Sequence, residues 1–102
     1  MAGKRAKQAA GAKVTGLRQM VAALAGDFML SSGGVMPAAS SIQKGYDIAA
    51  WAQANASRLG IMYIIYRQRI WDIRMASSGW VPMPDRGSIT ANHFDHVHIS
   101  VF

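Results

Sequence analysis

The chain has 102 residues, enough for one small domain, and with 51% of them apolar it can bury a core. It has no cysteine, which excludes a disulfide framework and any thiolate metal site; a metal would have to be held by His and Asp, a donor set that suits zinc or another borderline ion. The net charge is +6 and all five acids are aspartates, so anionic partners are favoured (cell-wall polymer, nucleic acid, lipid surface), and the carboxylates available as ligand or base are Asp27, Asp47, Asp72, Asp85 and Asp95.

In chain order, residues 1–16 are basic and small, with Gly3, Gly11 and Gly16 and no apolar periodicity. They read as a flexible arm preceding a single domain over 17–102. The start imitates a secretory leader, with Lys4, Arg5, Lys7 and Lys13 before an apolar stretch at 20–24, but that stretch is too short. No segment reaches the roughly 18 apolar residues that a transmembrane helix requires. Over 17–30, Leu17, Met20, Val21, Leu24 and Phe28 fall at helical spacing and predict a helix. Ser31-Ser32-Gly33-Gly34, Pro37 and Ser40-Ser41 mark a loop over 31–41. Residues 44–59 make the strongest helix pattern, rich in alanine and stopped by Gly60.

The dense apolar run 61–66 reads as a buried strand, continued through Arg67-Gln68-Arg69-Ile70-Trp71. A turn around 76–79 leads to a return strand over 80–83, with Pro82 marking a sheet edge. Residues 84–92 are a loop. The last run, 95–102, alternates His96, His98 and Ser100 against Val97, Ile99 and Val101. The expected fold is α+β, a small antiparallel sheet of about three to four strands packed with one or two helices.

All three histidines, His93, His96 and His98, lie within six residues. On a strand, His96 and His98 project from one face about 7 Å apart, close enough to approach one metal ion. Asp95 adjoins them as a candidate base. A zinc peptidase takes three protein ligands, an open position for water and a carboxylate that accepts the water proton, and this segment supplies part of that set.

The words Ile48-Ala49-Ala50-Trp51-Ala52-Gln53-Ala54-Asn55-Ala56, Leu59-Gly60-Ile61 and Tyr66-Arg67-Gln68-Arg69-Ile70-Trp71 resemble a known domain. So do Gly79-Trp80-Val81-Pro82-Met83, Asp85-Arg86-Gly87-Ser88 and Thr90-Ala91-Asn92-His93-Phe94-Asp95-His96-Val97-His98-Ile99-Ser100. The resemblance is to the C-terminal domain of secreted actinobacterial proteins and of actinophage lysins or tail proteins. That domain is similar in plan to the LAS zinc metallopeptidases, which include D-Ala-D-Ala carboxypeptidases and phage endolysin peptidases. The resemblance implies zinc held by His98 and, from Asp27-Phe28-Met29, by Asp27. It implies Asp95 as general base and His96 as the group that stabilises the tetrahedral intermediate. Arg67, Gln68 and Arg69 interrupt an apolar strand, and one of them, with Gln68 and Arg69 the candidates, is expected to face the cleft and hold a substrate carboxylate or oxyanion, a reading the resemblance favours; the alternative is edge-strand charges that block aggregation.

The upstream half of the family's motif is degenerate. The ligand histidine falls at Met20, the Ser at Arg18 and the Gly at Ala23. A thioether is a poor zinc partner beside hard ligands, so catalysis is expected to be impaired. No spacing argument brings His93 in as a substitute. The family plan also asks for a strand where the periodicity of 17–30 asks for a helix.

The function implied is that of a peptidoglycan peptidase-like domain acting on stem peptide, secreted and at the cell wall or on a virion. The alternative is a non-catalytic cell-wall or phage structural binding module. A nucleic-acid binder working through the basic arm ranks third, because no recognition helix or aromatic RNA motif supports it. Trp51, Trp71 and Trp80 read as core or cleft-wall aromatics, with a carbohydrate platform as the functional alternative. Oligomeric state is not readable.

Overall fold

The structure, a computed structural model, describes residues 25–102. The arm over 1–16, together with Arg18, Met20 and Ala23, lies outside the described residues. Strand β1 (Gly26–Met29) is followed by helix α1 (Ala39–Ala54) and the short helix α2 (Ala56–Leu59). Then come β2 (Ile61–Tyr66), β3 (Arg69–Asp72), a 3₁₀ segment (Ile73–Ser78), β4 (Val81–Pro82) and β5 (His96–Val101). The five strands form one sheet in the order β1-β5-β2-β3-β4, every pair antiparallel. The α+β class is as expected, with more strands than the three to four read from the sequence.

Two strands are additional to the three read along the chain: β1, and the second strand made where 61–71 breaks into β2 and β3. Where the periodicity of 17–30 asks for a helix, Gly26–Met29 is extended and pairs with β5, Gly26 opposite Ile99 and Met29 opposite His96. Gly26 enters at φ 126°, a conformation no helix accommodates. A four-residue stretch carries too little local preference to resist a neighbouring strand that satisfies its backbone groups. Phe28 then turns toward the core while Asp27 and Met29 face outward.

The helix signal at 44–59 is sound but begins late; α1 starts at Ala39, just past Pro37. Gly60 ends α2 in the left-handed region at φ 72°, as its position predicts. The inner face of the helices is built from Gly45, Ala49, Ala52 and Ala56, all buried. These small residues let α1 lie close over β2 and β5, where Ile64, Trp71, Val97 and Ile99 complete the core. Tyr66 fits into the same contact. Its hydroxyl donates to the carbonyl of Ile42 at 3.0 Å, and burial pushes its phenol pKa up against the opposing pull of Arg67.

The strand expected to run through 67–71 breaks instead into a hairpin. Tyr66 pairs with Arg69, and the two residues between them, Arg67 (φ 49°) and Gln68 (φ 62°), turn in the left-handed region. Neither is the Gly or Asn that announces such a turn, so it is silent in the sequence. Tertiary hydrogen bonds hold it: the N–H of Arg67 donates to His93 O and that of Gln68 to Asn92 O, both at 2.8 Å, while Gln68 O accepts from Met83 N at 2.9 Å. β4 pairs with β3 at the sheet edge, and Pro82 sits there as anticipated.

A Cβ at Gly45 would collide with the Tyr66 hydroxyl and ring carbon and with Leu30. Gly45→Ala gains helix propensity of up to about 1 kcal/mol but overpacks this contact at a cost of about 1–3 kcal/mol. The expected outcome is a net loss of stability, read as a lower urea midpoint at unchanged m-value.

Candidate functional site

Register places the chemistry. Val97 and Ile99 of β5 face the helices, so His96, His98 and Ser100 project from the opposite face of the sheet. On that face Asp27 is directly across from His98, and the carboxylate Oδ1 meets His98 Nδ1 at 2.7 Å. The same oxygen lies 3.8 Å from Nε2 of His96. With Nδ1 donating to the carboxylate, Nε2 of a neutral His98 accepts from the Ser100 hydroxyl at 2.8 Å. Tyr63 stacks on the His98 ring at 5.8 Å.

Asp95 is 1% exposed and stands behind His96. One carboxylate oxygen accepts from His96 Nδ1 and the other from the Thr90 hydroxyl, both at 2.7 Å. Burial raises its pKa, but the His96 and Thr90 hydrogen bonds outweigh that and leave it below the usual carboxylate value. This is not the geometry of a base that meets water. With both oxygens committed and no surface, Asp95 orients His96 and fixes its proton on Nδ1, which leaves Nε2 as the atom able to take or give a proton. The resemblance makes Asp95 the base; the structure places it behind His96, which is itself only 5% exposed and turns Nε2 toward Asp27.

His93, for which the sequence offers no spacing argument, joins the group. Its ring lies 4.5 Å from that of His96 and 5.8 Å from that of His98. It sits at φ 59°, and its Nδ1–H donates to Ala91 O at 3.1 Å, leaving Nε2 free. The 84–92 loop delivers it. Asn92 is buried, accepts from Arg86 N at 2.7 Å and donates to Asp85 at 2.8 Å. Asp85 also takes Gly87 N at 2.8 Å, and its pKa is lowered by these bonds, that from Asn92 first. The signal that could have found His93 is the crowding of three histidines in six residues, which strand periodicity alone does not use.

Gln68 and Arg69 do not join the histidines. The Gln68 side chain donates to Met83 O at 3.0 Å and lines a small crevice with Asn92 and His93, but makes no hydrogen bond to a histidine. Arg69 pairs with Tyr66 and shares the parity of buried Trp71, which puts it on the helix side of the sheet. Asp27 and His98 are brought together as the motif implies. They fit two of the three protein donors of a catalytic zinc site. Among the described residues no group of three or more His, Cys, Asp or Glu side chains is arranged to hold a metal ion. The residues described therefore do not by themselves fit zinc.

The model of the family described as VldE, C-terminal domain, matches residues 21–94, and the chain belongs to this family. A protein of Arthroderma benhamiae (strain ATCC MYA-4681 / CBS 112371), described as an uncharacterized secreted protein, is 37% identical over 51 residues. That alignment covers 46% of this chain and 21% of the relative, so the chain spans about a fifth of the length of the relative it matches. No solved structure matches the chain. Among the described residues no helix is long and apolar enough to cross a membrane.

Burial, and then the neighbouring His96, lower the His93 pKa from 6.5. The folded state thus binds its proton more weakly than the unfolded state. Stability from this group is intact above 6.5 and is lost as pH falls from there toward the lower folded value. His93→Asn, which tolerates the left-handed backbone, should flatten the pH dependence of the denaturant midpoint in that window. Asp95→Asn should cost about 1–3 kcal/mol at neutral pH, because it puts an amide donor against His96 or Thr90 in a buried network; the unfolding free energy measures it.

Proposed function

We propose that this member of the VldE C-terminal domain family is a peptidoglycan peptidase-like domain, derived from a zinc hydrolase of LAS plan, that receives stem peptide on its histidine-bearing face. Asp27 and His98 carry the reading. They are 71 residues apart, they are the two ligands that the resemblance selects, and they meet at 2.7 Å across β1 and β5. The relative's description as a secreted protein is in line with the extracellular part of this reading. The basic balance of the chain suits an anionic wall polymer.

Around the pair, the side chains offer specific services. His96, backed by buried Asp95, holds a proton acceptor at Nε2 close to the Asp27 carboxylate. His93 offers a second imidazole at the same mouth. With His93 and His96 protonated on Nδ1, their Nε2 atoms and the Asp27 carboxylate are acceptors, so a peptide N–H or a water entering here would find hydrogen-bond acceptors. Among the described residues Asp27 and His98 supply two donors, one fewer than a catalytic zinc site takes from its protein.

A second reading is a non-catalytic wall or phage structural module. One observation favours it: Asp27 and His98 satisfy each other by a direct hydrogen bond, a contact that a metal would have to displace. Zinc content and affinity of the purified chain discriminate between the two, measured beside binding to purified sacculi. Zinc that is bound stoichiometrically and loses on the order of 100-fold or more in affinity in His98→Ala, beyond the upper end of second-shell effects, supports the peptidase-like reading and a third donor beyond Asp27 and His98. Absence of zinc with sacculus binding intact in His98→Ala would replace that reading with the module. Salt-sensitive DNA binding lost on deleting residues 1–13, without sacculus binding, would sink both.

A further inference from the structure

The helix side of the sheet carries a feature that the histidine face does not use. Between α1 and the β2–β3 hairpin lies an open cavity of about 370 Å³, within the range of small-molecule sites. Its floor is Ala49 and Ala50 of α1, whose small side chains leave the space. Tyr46 and Tyr66 wall one part, locked edge to face with ring centres 5.2 Å apart. Trp80 walls another, and its indole N–H donates to Gln53 Oε1 at 2.9 Å, so ring and amide are held together. That bond leaves the Gln53 amide NH₂ able to donate.

Arg67 and Arg69 also line the cavity. Arg67 is steadied over the Phe94 ring at 4.9 Å, and Arg69 is exposed. Among the described residues neither is paired with a carboxylate; the ion pairs there are Arg74 with Asp72 and the histidines with Asp27 and Asp95. Arg67 also reaches Met36 Sδ at 3.9 Å, so what the two guanidinium groups beside these aromatic rings lack, among the described residues, is a carboxylate partner. A guanidinium fork matches a planar carboxylate. An aromatic ring with a polar handle offers a flat apolar face beside a hydrogen-bonding edge. A pyranose presents C–H bonds on its faces and hydroxyls on its rim, so its face suits Trp80 or Tyr46 and its rim suits the Gln53 amide.

We infer that this cavity is a binding site for a saccharide bearing a free carboxylate, the sugar ring lying on Trp80 or Tyr46 and the carboxylate held by Arg67 and Arg69. The site is on the opposite side of the sheet from His96 and His98 and stands independently of what the histidines do. It gives a function to two arginines of the β2–β3 hairpin that have no carboxylate partner among the described residues, and to the edge of a tryptophan that otherwise packs against the core.

The test is an NMR titration of the full chain with D-glucuronate, followed at the Trp80 indole N–H, with D-glucose and acetate in parallel. Glucuronate is expected to saturate in the millimolar range and to bind about tenfold more tightly than glucose, one lost ion pair being worth roughly a decade. Arg69→Met keeps the stem of an exposed residue and should reduce glucuronate to the level of glucose. Ala50→Leu should fill the cavity and abolish both. Equal affinity for glucuronate and glucose would overturn the inference. So would acetate reproducing the glucuronate shifts, shifts confined to His96 and His98, or an Arg69→Met variant that binds as the parent does.

Discussion

The position of β5 between β1 and β2 is the constraint from which the rest of the molecule follows. Its Ile99 is opposite both Gly26 and Ile64, and its His98 is opposite both Asp27 and Ile65. A strand has two faces and a period of two, so a slip of one residue in either pairing would send Val97 and Ile99 outward and His96 and His98 into the core. The apolar set on the helix side thus locks the polar set on the other. Hydrophobic burial of Val97, Ile99, Ile64 and Phe28 is what holds a carboxylate and an imidazole 71 residues apart in sequence within hydrogen-bond distance.

Around that frame, the 84–92 loop, in which Asp85, Arg86, Ser88, Thr90 and Asn92 outnumber the apolar residues, is ordered largely by its polar groups. Asp85, Asn92 and Thr90 tie it through side chains, and the β2–β3 turn and the loop hold each other through the backbones of residues 67, 68, 92 and 93. A turn of two non-glycine residues in the left-handed region is unfavourable in isolation and persists because its N–H groups have fixed acceptors. The same contacts bring His93 beside His96. Asp95 at the loop's end is buried with both oxygens satisfied, which makes the Asp95–His96 unit rigid and leaves one nitrogen of the imidazole for chemistry.

The two faces of the sheet are chemically distinct. One carries acids and histidines on short extended segments. The other carries a small-residue helix and, where that helix leaves room, arginines and aromatics around a cavity. Gly45, Ala49 and Ala52 bring α1 close to the sheet, while Ala49 and Ala50 of the same helix floor the cavity and Tyr46 walls it. One helix therefore sets both the tightness of the core and the shape of the second site.

The strong local signals of the chain were legible from the residues alone. The alanine-rich helix with its glycine stop, the apolar strand at 61–66, the edge proline and the alternation of the last strand all carry their own period or breaker, so they survive without knowledge of their neighbours. The pairing of Asp27 with His98 was legible through the family words around them. Three features were not. The strand at Gly26–Met29 is too short to state its own conformation and takes it from β5. The turn at Arg67–Gln68 lacks turn residues and takes its shape from the loop that its amides contact. The separation of Arg69 from the histidines, and the arrival of His93 among them, depend on which side of a sheet a residue points to and where a loop folds back. Those are matters of pairing parity and long-range hydrogen bonding, which a linear pattern does not contain.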